Sequence, residues 1–218
     1  MPNYNVRIGN NDRNEIISYI LDKKKQGKFT VVDVGGSYGG WSRNVIDAII
    51  DFNDSPITNS NIKHFYCDIT HPDSWNNIIQ YITNNGKFDF CICTHTLEDI
   101  MNPAYVCEQI VKISNSGYIA VPSKYKELSR FELGNNSYRG YIHHRWIFDI
   151  VKDNVFLAYP KINYVEHSTI FDQVADNDDN KSDLSFFWKD NIDIRYINNN
   201  YLGPNLLAVI NYYNNLIN

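Results

Sequence analysis

The chain has no run of the roughly 18 to 20 apolar residues that a bilayer-crossing helix needs. Its start, MPNYNVRIGNNDRNE, holds no apolar signal core. A cytoplasmic location with no membrane partner is therefore expected. No C-x-x-C pair occurs among the four cysteines, Cys67, Cys91, Cys93 and Cys107. Cys91 and Cys93 stand two apart in an apolar run, so on a strand they share one face as small apolar side chains. Dense basic charge is also missing: 20 Lys and Arg against 25 Asp and Glu leave a net charge of −5. That balance argues against a nucleic-acid partner. The basic cluster Lys23, Lys24, Lys25 and Lys28 falls at a helix end, where cations complement the dipole. No lysine follows Gly40 either, so the glycine-rich stretch is not a phosphate-binding G-x-x-x-x-G-K-[ST] loop.

What is present is an ordinary globular composition. The 218 residues are 43% hydrophobic and 21% charged, enough for one domain with a full core. Residues 14–25 carry apolar side chains at 16, 17, 20 and 21, a helical spacing closed by Gly27. "FTVVDV", "IKHFYCD", "FDFCICT" and "GYIAVP" read as strands. "HPDSWNNIIQYITNNG" and "NPAYVCEQIVKIS" read as helices between them. This alternation predicts an α/β fold: a Rossmann-like, doubly wound, mostly parallel sheet of about seven strands with helices on both faces. Two apolar runs around Lys152-Asp153-Asn154 predict a C-terminal β-hairpin, and "DQVADNDDNKSD" an exposed acidic loop. "WSRNVIDAIIDF" fits a helix through Trp41, Val45, Ala48, Ile49 and Phe52, or a buried strand through "NVIDAII".

The stretch "VVDVGGSYGG" sets Asp33, Gly35, Ser37 and Gly39 in a D-x-G-x-S-x-G frame after a strand. The frame resembles the first motif of class I S-adenosylmethionine-dependent methyltransferases, [D/E]-x-G-x-G-x-G, with Ser37 in place of the middle glycine. "FDFCICTHTLEDIMNP" is similar to the fourth-strand region of small-molecule methyltransferases, through Phe88, Asp89, Thr94, His95, Leu97, Glu98 and Asp99. The resemblance covers roughly residues 29–123, a cofactor-binding core, with 124–218 left to bind the acceptor and complete the sheet. It implies S-adenosyl-L-methionine as cofactor, held by Asp33, Gly35, Gly36, Ser37, Gly39, Asp68, Ile69, Thr94 and His95. It also implies an acid on the ribose hydroxyls at the end of the second strand. Asp47 takes that place if "NVIDAII" is a strand, and Asp51 or Asp54 if it is a helix. "GYIAVPSKYKELS" and "YRGYIHHRW" resemble a subgroup linked with glycan and surface-polysaccharide biosynthesis. That likeness implies O-methylation of a small-molecule acceptor, a sugar or nucleotide sugar.

Methyl transfer from a sulfonium is an in-line displacement, so the enzyme must hold the acceptor against the methyl group. A hydroxyl acceptor also needs a base. His143, His144 and His95 are the candidates, with Glu98 and Glu127 in reserve. Neighbouring residues on an extended chain point to opposite sides, so one of His143 and His144 is expected to face the site. Tyr138, Arg139, Tyr141 and Arg145 suit a sugar or its phosphate, through aromatic faces and forked arginine bonds. His143, His144 and Asp149 form no recognised metal spacing, and no metal is expected. A dinucleotide-dependent oxidoreductase is the competing enzyme class, disfavoured by Ser37 and the T-H-T-L-E-D turn. A nucleic-acid methyltransferase is weakened by the acidic balance. A non-catalytic binding subunit shares the same fold, because function belongs to the site.

Overall fold

A computed structural model describes residues 6–10, 12–37, 39–52, 61–151, 154–174, 179–197, 199–200, 203–204 and 206–216. Asp54, the hairpin tip at 152–153 and positions 175–178 of the acidic loop lie outside the described residues. The first half alternates β1 (Val6–Gly9), α1 (Arg13–Gln26), β2 (Val31–Val34), β3 (Ala48–Asp51) and β4 (Lys63–Tyr66). It continues with α2 (Asn76–Asn85), β5 (Phe90–Thr94), α3 (Pro103–Ile113) and β6 (Ser116–Pro122). Then come α4 (Lys124–Leu128), the ribbon β7 (Arg130–Glu132) and β8 (Tyr138–Arg139), β9 (Trp146–Val151) and β10 (Val155–Pro160). The chain closes through α5 (Tyr164–His167), β11 (Asp183–Lys189), β12 (Ile194–Tyr196) and α6 (Leu206–Asn215).

Seven strands form the main sheet in the order β1-β11-β6-β5-β2-β3-β4. The five from β6 to β4 are parallel; β11 runs antiparallel to β6, and β1 antiparallel to β11. Alternation along the strands divides the core. Val32, Val34, Ala48, Ile50, Cys91 and Cys93 join Ile78 of α2 and Val106 and Ile110 of α3 on one face. Val31, Ile49, Phe90 and Ile92 meet Ile16 and Ile20 of α1 on the other. A parallel sheet buried on both faces needs such near-continuous apolar strands. Asn102 caps α3, its side-chain oxygen accepting from the Tyr105 amide at 3.1 Å, and Pro103 opens the first turn. The predicted hairpin forms as β9 and β10, which pair antiparallel from Trp146–Pro160 to Val151–Val155. They sit in a separate three-stranded sheet with β12, and Phe148 and Phe156 join the main core.

The ambiguous stretch after the glycine turn resolves as turns over 41–45, with β3 beginning at Ala48 and no helix among the described residues between β2 and β3. Asp47 accounts for this. Its amide donates to the Val31 carbonyl at 2.8 Å, and its carboxylate accepts from the Val31 amide at 2.7 Å and from Lys24 Nζ. These bonds pin the chain to the start of β2. From β2 the order runs through β3 to β4 on one side and through β5 to β6 on the other. The β2–β5 boundary is thus the switch point of the sheet, where two diverging connections leave a crevice at the strand ends. Among the described residues no helix is long and apolar enough to cross a membrane.

Trp75 anchors the short turn that leads into α2. Its ring is 1% exposed and its indole N–H donates to the Ile69 carbonyl at 3.1 Å. Trp75→Ala is expected to cost about 3–5 kcal/mol in urea unfolding. A loss below about 1 kcal/mol would show that the Ile69–Trp75 turn is not part of the cooperative core.

Candidate functional site

Gly35 leaves β2 with a φ of 74°, a left-handed conformation that favours glycine. Its amide donates to the Ile50 carbonyl at 2.8 Å, and a Cβ there would collide with the Thr96 side chain. The turn after β2 and the turn after β5 therefore touch. Trp41 adds a second tie, its indole N–H reaching Thr94 Oγ1 at 3.4 Å. His95 follows β5 in a left-handed conformation, φ 51°, with its amide on the Ala120 carbonyl at 2.9 Å. A cavity of about 270 Å³ opens at these strand ends.

Four of the predicted cofactor residues line it: Gly35, Asp68, Ile69 and His95. Asp51, at the carboxyl end of β3, lines it as well, together with Phe52, Thr96 and Asp99. Asp47 does not. It precedes β3, at the opposite end of the strand from the cavity, and Lys24 and the Val31 amide occupy its carboxylate. "NVIDAII" does supply a strand, but in a parallel sheet the ligand edge is the strand's carboxyl end, which belongs to Asp51.

Asp33, Gly36, Ser37, Gly39 and Thr94 are likewise absent from the wall. Asp33 lies beneath the turn, 3% exposed, where it accepts the Ser42 hydroxyl, and a Cβ on Gly36 would strike its carboxylate. Its Oδ1 is buried without a hydrogen-bond partner among the described residues. Burial pushes this carboxyl up to about 6, the Ser42 hydroxyl opposing and the Asp51 charge adding. Ser37 is exposed and closes the turn by accepting the Gly40 amide on its carbonyl at 2.8 Å. Asp68 accepts from the Thr70 hydroxyl at 2.6 Å and the Thr70 amide at 2.9 Å, which together hold its carboxyl below the usual range.

Residues beyond β6 do not line the cavity but pack against the 98–100 segment, in which Asp99 and Ile100 form part of the cavity wall. Arg145 donates its amide to the Glu98 carbonyl at 2.8 Å and its Nε to the Asp99 carbonyl at 3.0 Å. The Trp146 indole reaches the Ile100 carbonyl at 2.8 Å. These bonds fasten 145–146 along 98–100 and carry His143 and His144 to Asp99. Both rings aim Nε2 at Asp99 Oδ1, at 3.7 Å and 3.6 Å. The expectation that one of the pair turns away fails because 142–143 form a turn rather than an extended segment. His144 Nδ1 lies 2.6 Å from Glu127 Oε1, and Lys161 Nζ donates to Glu127 Oε2 at 2.9 Å and to the Tyr141 carbonyl at 2.7 Å. Tyr141 lies over the His144 ring, centroids 4.5 Å apart, and meets Phe131 edge-on at 4.9 Å. The Tyr138 ring takes the Lys161 ammonium at 5.2 Å.

Arg139 is no phosphate clamp. It is 1% exposed, and its guanidinium donates to the carbonyls of Val165, Leu128 and Ser168 and pairs with Asp172. Asp149 belongs to Lys124, 2.9 Å away.

No family model matches the chain, and no curated protein matches it. Among solved structures, it is similar to the plantazolicin methyltransferase BpumL in complex with a triazolic desmethylPZN analog and SAH. The identity is 12%, over 82% of this chain and 83% of that one, with a TM-score of 0.46. A second BpumL complex, with a monoazolic analog and SAH, aligns at 17% identity over 53% of this chain, TM-score 0.38. Magnesium protoporphyrin IX methyltransferase (ChlM) from Synechocystis PCC 6803 with bound SAM aligns at 11% identity over 51% of this chain, TM-score 0.37. In these last two alignments the chain spans 47% and 58% of the neighbour's length. With TM-scores below 0.5, these likenesses carry no functional weight.

Among the site residues that sequence reasoning left without a role are Thr96, Asp99, Lys161 and Asp183. Thr96 and Asp99 stand inside the T-H-T-L-E-D turn, so their signal was present. Lys161 sits in "AYPKIN", which has no pattern that marks it.

Asp33 gives a direct test of the turn's electrostatics. Its folded carboxyl binds a proton more tightly than an unfolded aspartate at about 3.9. The native state therefore gains stability as pH falls through about 6, and that gain is complete below about 4. At about 1.4 kcal/mol per pH unit, the buried charge costs up to about 3 kcal/mol in alkaline solution. Asp33→Asn should raise the melting temperature at pH 8, at about 2–4 °C per kcal/mol, and give no gain at pH 4. Equal melting of the two proteins at pH 8 would count against a buried charge at Asp33.

Proposed function

We propose that the chain is an S-adenosylmethionine-dependent methyltransferase acting on a hydroxyl of a small molecule, a sugar or nucleotide sugar, with 29–123 holding the cofactor and 124–218 shaping the acceptor side. The observation that carries this reading is the set of groups around one cavity at the switch point: the Gly35 turn, the Asp51 carboxylate and His95. A carboxylate at a strand end has the two acceptor oxygens that a ribose diol needs, so Asp51 is assigned to the ribose. When bound, the cofactor supplies a methyl group on a sulfonium: the acceptor oxygen bonds to the methyl carbon, the C–S bond breaks, and its electron pair stays on sulfur as a neutral thioether.

The chain's own part is to align the acceptor and take its proton. We assign the proton to His95 Nε2. Glu98 Oε1 lies 3.4 Å from Nδ1 and Asp183 Oδ1 3.6 Å from Nε2, so two carboxylates stabilise the imidazolium that forms. Both Glu98 side-chain oxygens are buried without an aligned donor, which makes the His95 contact a charge pairing more than a directional bond. Burial disfavours the charged ring, but Glu98 and Asp183 outweigh it and lift His95 above its ordinary value. Tyr141 and Phe131 offer aromatic faces to a sugar, and the exposed Arg145 side chain sits at the same mouth.

Calorimetry against S-adenosylmethionine, S-adenosylhomocysteine and NAD separates this reading from a dinucleotide oxidoreductase. Binding of both sulfur ligands is expected, weakened about 10- to 100-fold in Asp51→Asn by loss of charge-assisted hydrogen bonds. Heat with NAD alone would replace the proposal by the oxidoreductase. The base must be neutral to accept a proton, so kcat/KM for methyl transfer should fall as pH drops through a value above about 6.5. His95→Asn keeps the left-handed backbone accessible; it should lower kcat about 10²- to 10⁴-fold and abolish that acidic limb. A limb unchanged in His95→Asn would remove His95 as the base.

A further inference from the structure

Three side chains that the proton-transfer assignment does not use converge at the mouth of the cavity. Asp99, His143 and His144 each present one ligand atom, all within 4.8 Å of one another. The two imidazole Nε2 atoms face the same oxygen, Asp99 Oδ1, at 3.7 Å and 3.6 Å. The His144 ring is fixed from behind: its Nδ1 lies 2.6 Å from the Glu127 carboxylate, whose other oxygen is held by Lys161. In the neutral ring this contact assigns the proton to Nδ1 and leaves the Nε2 lone pair pointing at a carboxylate oxygen. Two electron-rich atoms face to face at such a distance repel unless a proton or a metal ion lies between them.

We propose that Asp99, His143 and His144 bind a divalent transition-metal ion. A carboxylate on the far nitrogen of a ligating histidine is the usual outer partner of such a site, fixing tautomer and ring orientation. Glu127 holds that position, and Gly140 makes it possible, since a Cβ there would collide with the Glu127 carboxylate. Metal–ligand bonds of about 2.0–2.2 Å require the three atoms to close from their present spacing to roughly 3 Å apart. His143 and Asp99, 60% and 43% exposed, are free to make that movement, while His144, 6% exposed, serves as the fixed point. Two imidazoles and one carboxylate favour zinc, iron, cobalt, nickel or manganese over magnesium or calcium. Three protein ligands leave coordination positions open, and Asp99 also lines the cavity, so those positions face the acceptor end. An acceptor hydroxyl there would become a metal ligand and lose its proton more readily. That use rests on the methyltransferase reading; metal binding itself does not.

Asp149, the acid considered with the histidine pair in sequence, is taken by Lys124. The carboxylate that joins them is Asp99, brought in by the bonds of Arg145 and Trp146 to the 98–100 segment.

The test is titration of the untagged, chelator-stripped full chain with Co²⁺, followed by calorimetry and by visible d–d absorption. One equivalent should bind with a saturable visible band. Affinity should fall at least tenfold in His143→Ala and in Asp99→Asn, both of which change exposed side chains and should melt like the wild type. Glu127→Gln should weaken binding about 10- to 100-fold with the same stoichiometry. No visible band and no heat up to millimolar Co²⁺ would overturn the site, as would equal affinity in wild type, His143→Ala and Asp99→Asn. S-adenosylhomocysteine binding, measured on the same preparation in chelator, reports the methyltransferase reading separately. Cobalt binding without it leaves the metal site standing and sinks that reading, and the reverse result sinks the metal site alone.

Discussion

Gly35 and Thr96 meet where two turns leave neighbouring parallel strands, and each wall of the cavity is placed relative to that contact. Any side chain at position 35 would strike Thr96, and the positive φ would strain it as well. The contact sets how closely the β2 and β5 turns approach, and so where Asp51 stands relative to His95. The family resemblance assigns Gly35 and Gly36 to a cofactor. The packing gives a second cause: Gly35 makes room for Thr96 and Gly36 for the Asp33 carboxylate. A glycine-rich turn can thus be required by neighbouring protein atoms before any ligand arrives.

Three carboxylates lie buried around this switch point, Asp33 at 3% exposure and Glu98 and Glu127 at 1% each. A buried carboxylate is tolerated when it is paired or bonded, and each of these is compensated differently. Asp33 has the Ser42 hydroxyl and a raised proton affinity. Glu98 has the His95 ring nearby. Glu127 has both the His144 ring and the Lys161 ammonium. The compensation is thus fullest at Glu127 and weakest at Glu98, whose two oxygens have no aligned donor among the described residues.

Much of the scaffold was legible because its cause is local. The spacing of Ile16, Ile17, Ile20 and Leu21 marks α1, and Asn102-Pro103 marks the start of α3. Continuous apolar runs mark strands buried on both faces. The misplacements share a different cause. Asp47 and Asp51 sit four residues apart, one just before β3 and one at its end, and only the strand's direction and bounds decide which faces the cavity. The expectation for Arg139 failed because its burial depends on carbonyls of Val165 and Ser168, some 26 to 29 residues away. Asp99 lies 44 positions before His143, and no spacing rule spans the bonds of Arg145 and Trp146 that join them.

The same bonds decide how the two halves of the site relate. The 98–100 segment carries Asp99 on the cavity wall and lies, through its carbonyls, against Arg145 and Trp146. The Lys161 amide in turn donates to the Arg145 carbonyl at 2.8 Å, so the end of β10 is tied into the same line. One line of backbone contacts therefore runs from the turn after β5 to the Glu127–Lys161 pair. The Arg145 and Lys161 amide bonds in this line depend little on side-chain identity, while the Arg145 Nε and the Trp146 indole add two bonds that require those residues. The turn after β5 and the end of β10 are therefore fixed to each other, and Ile142 and His143 stand exposed beside the line that joins them.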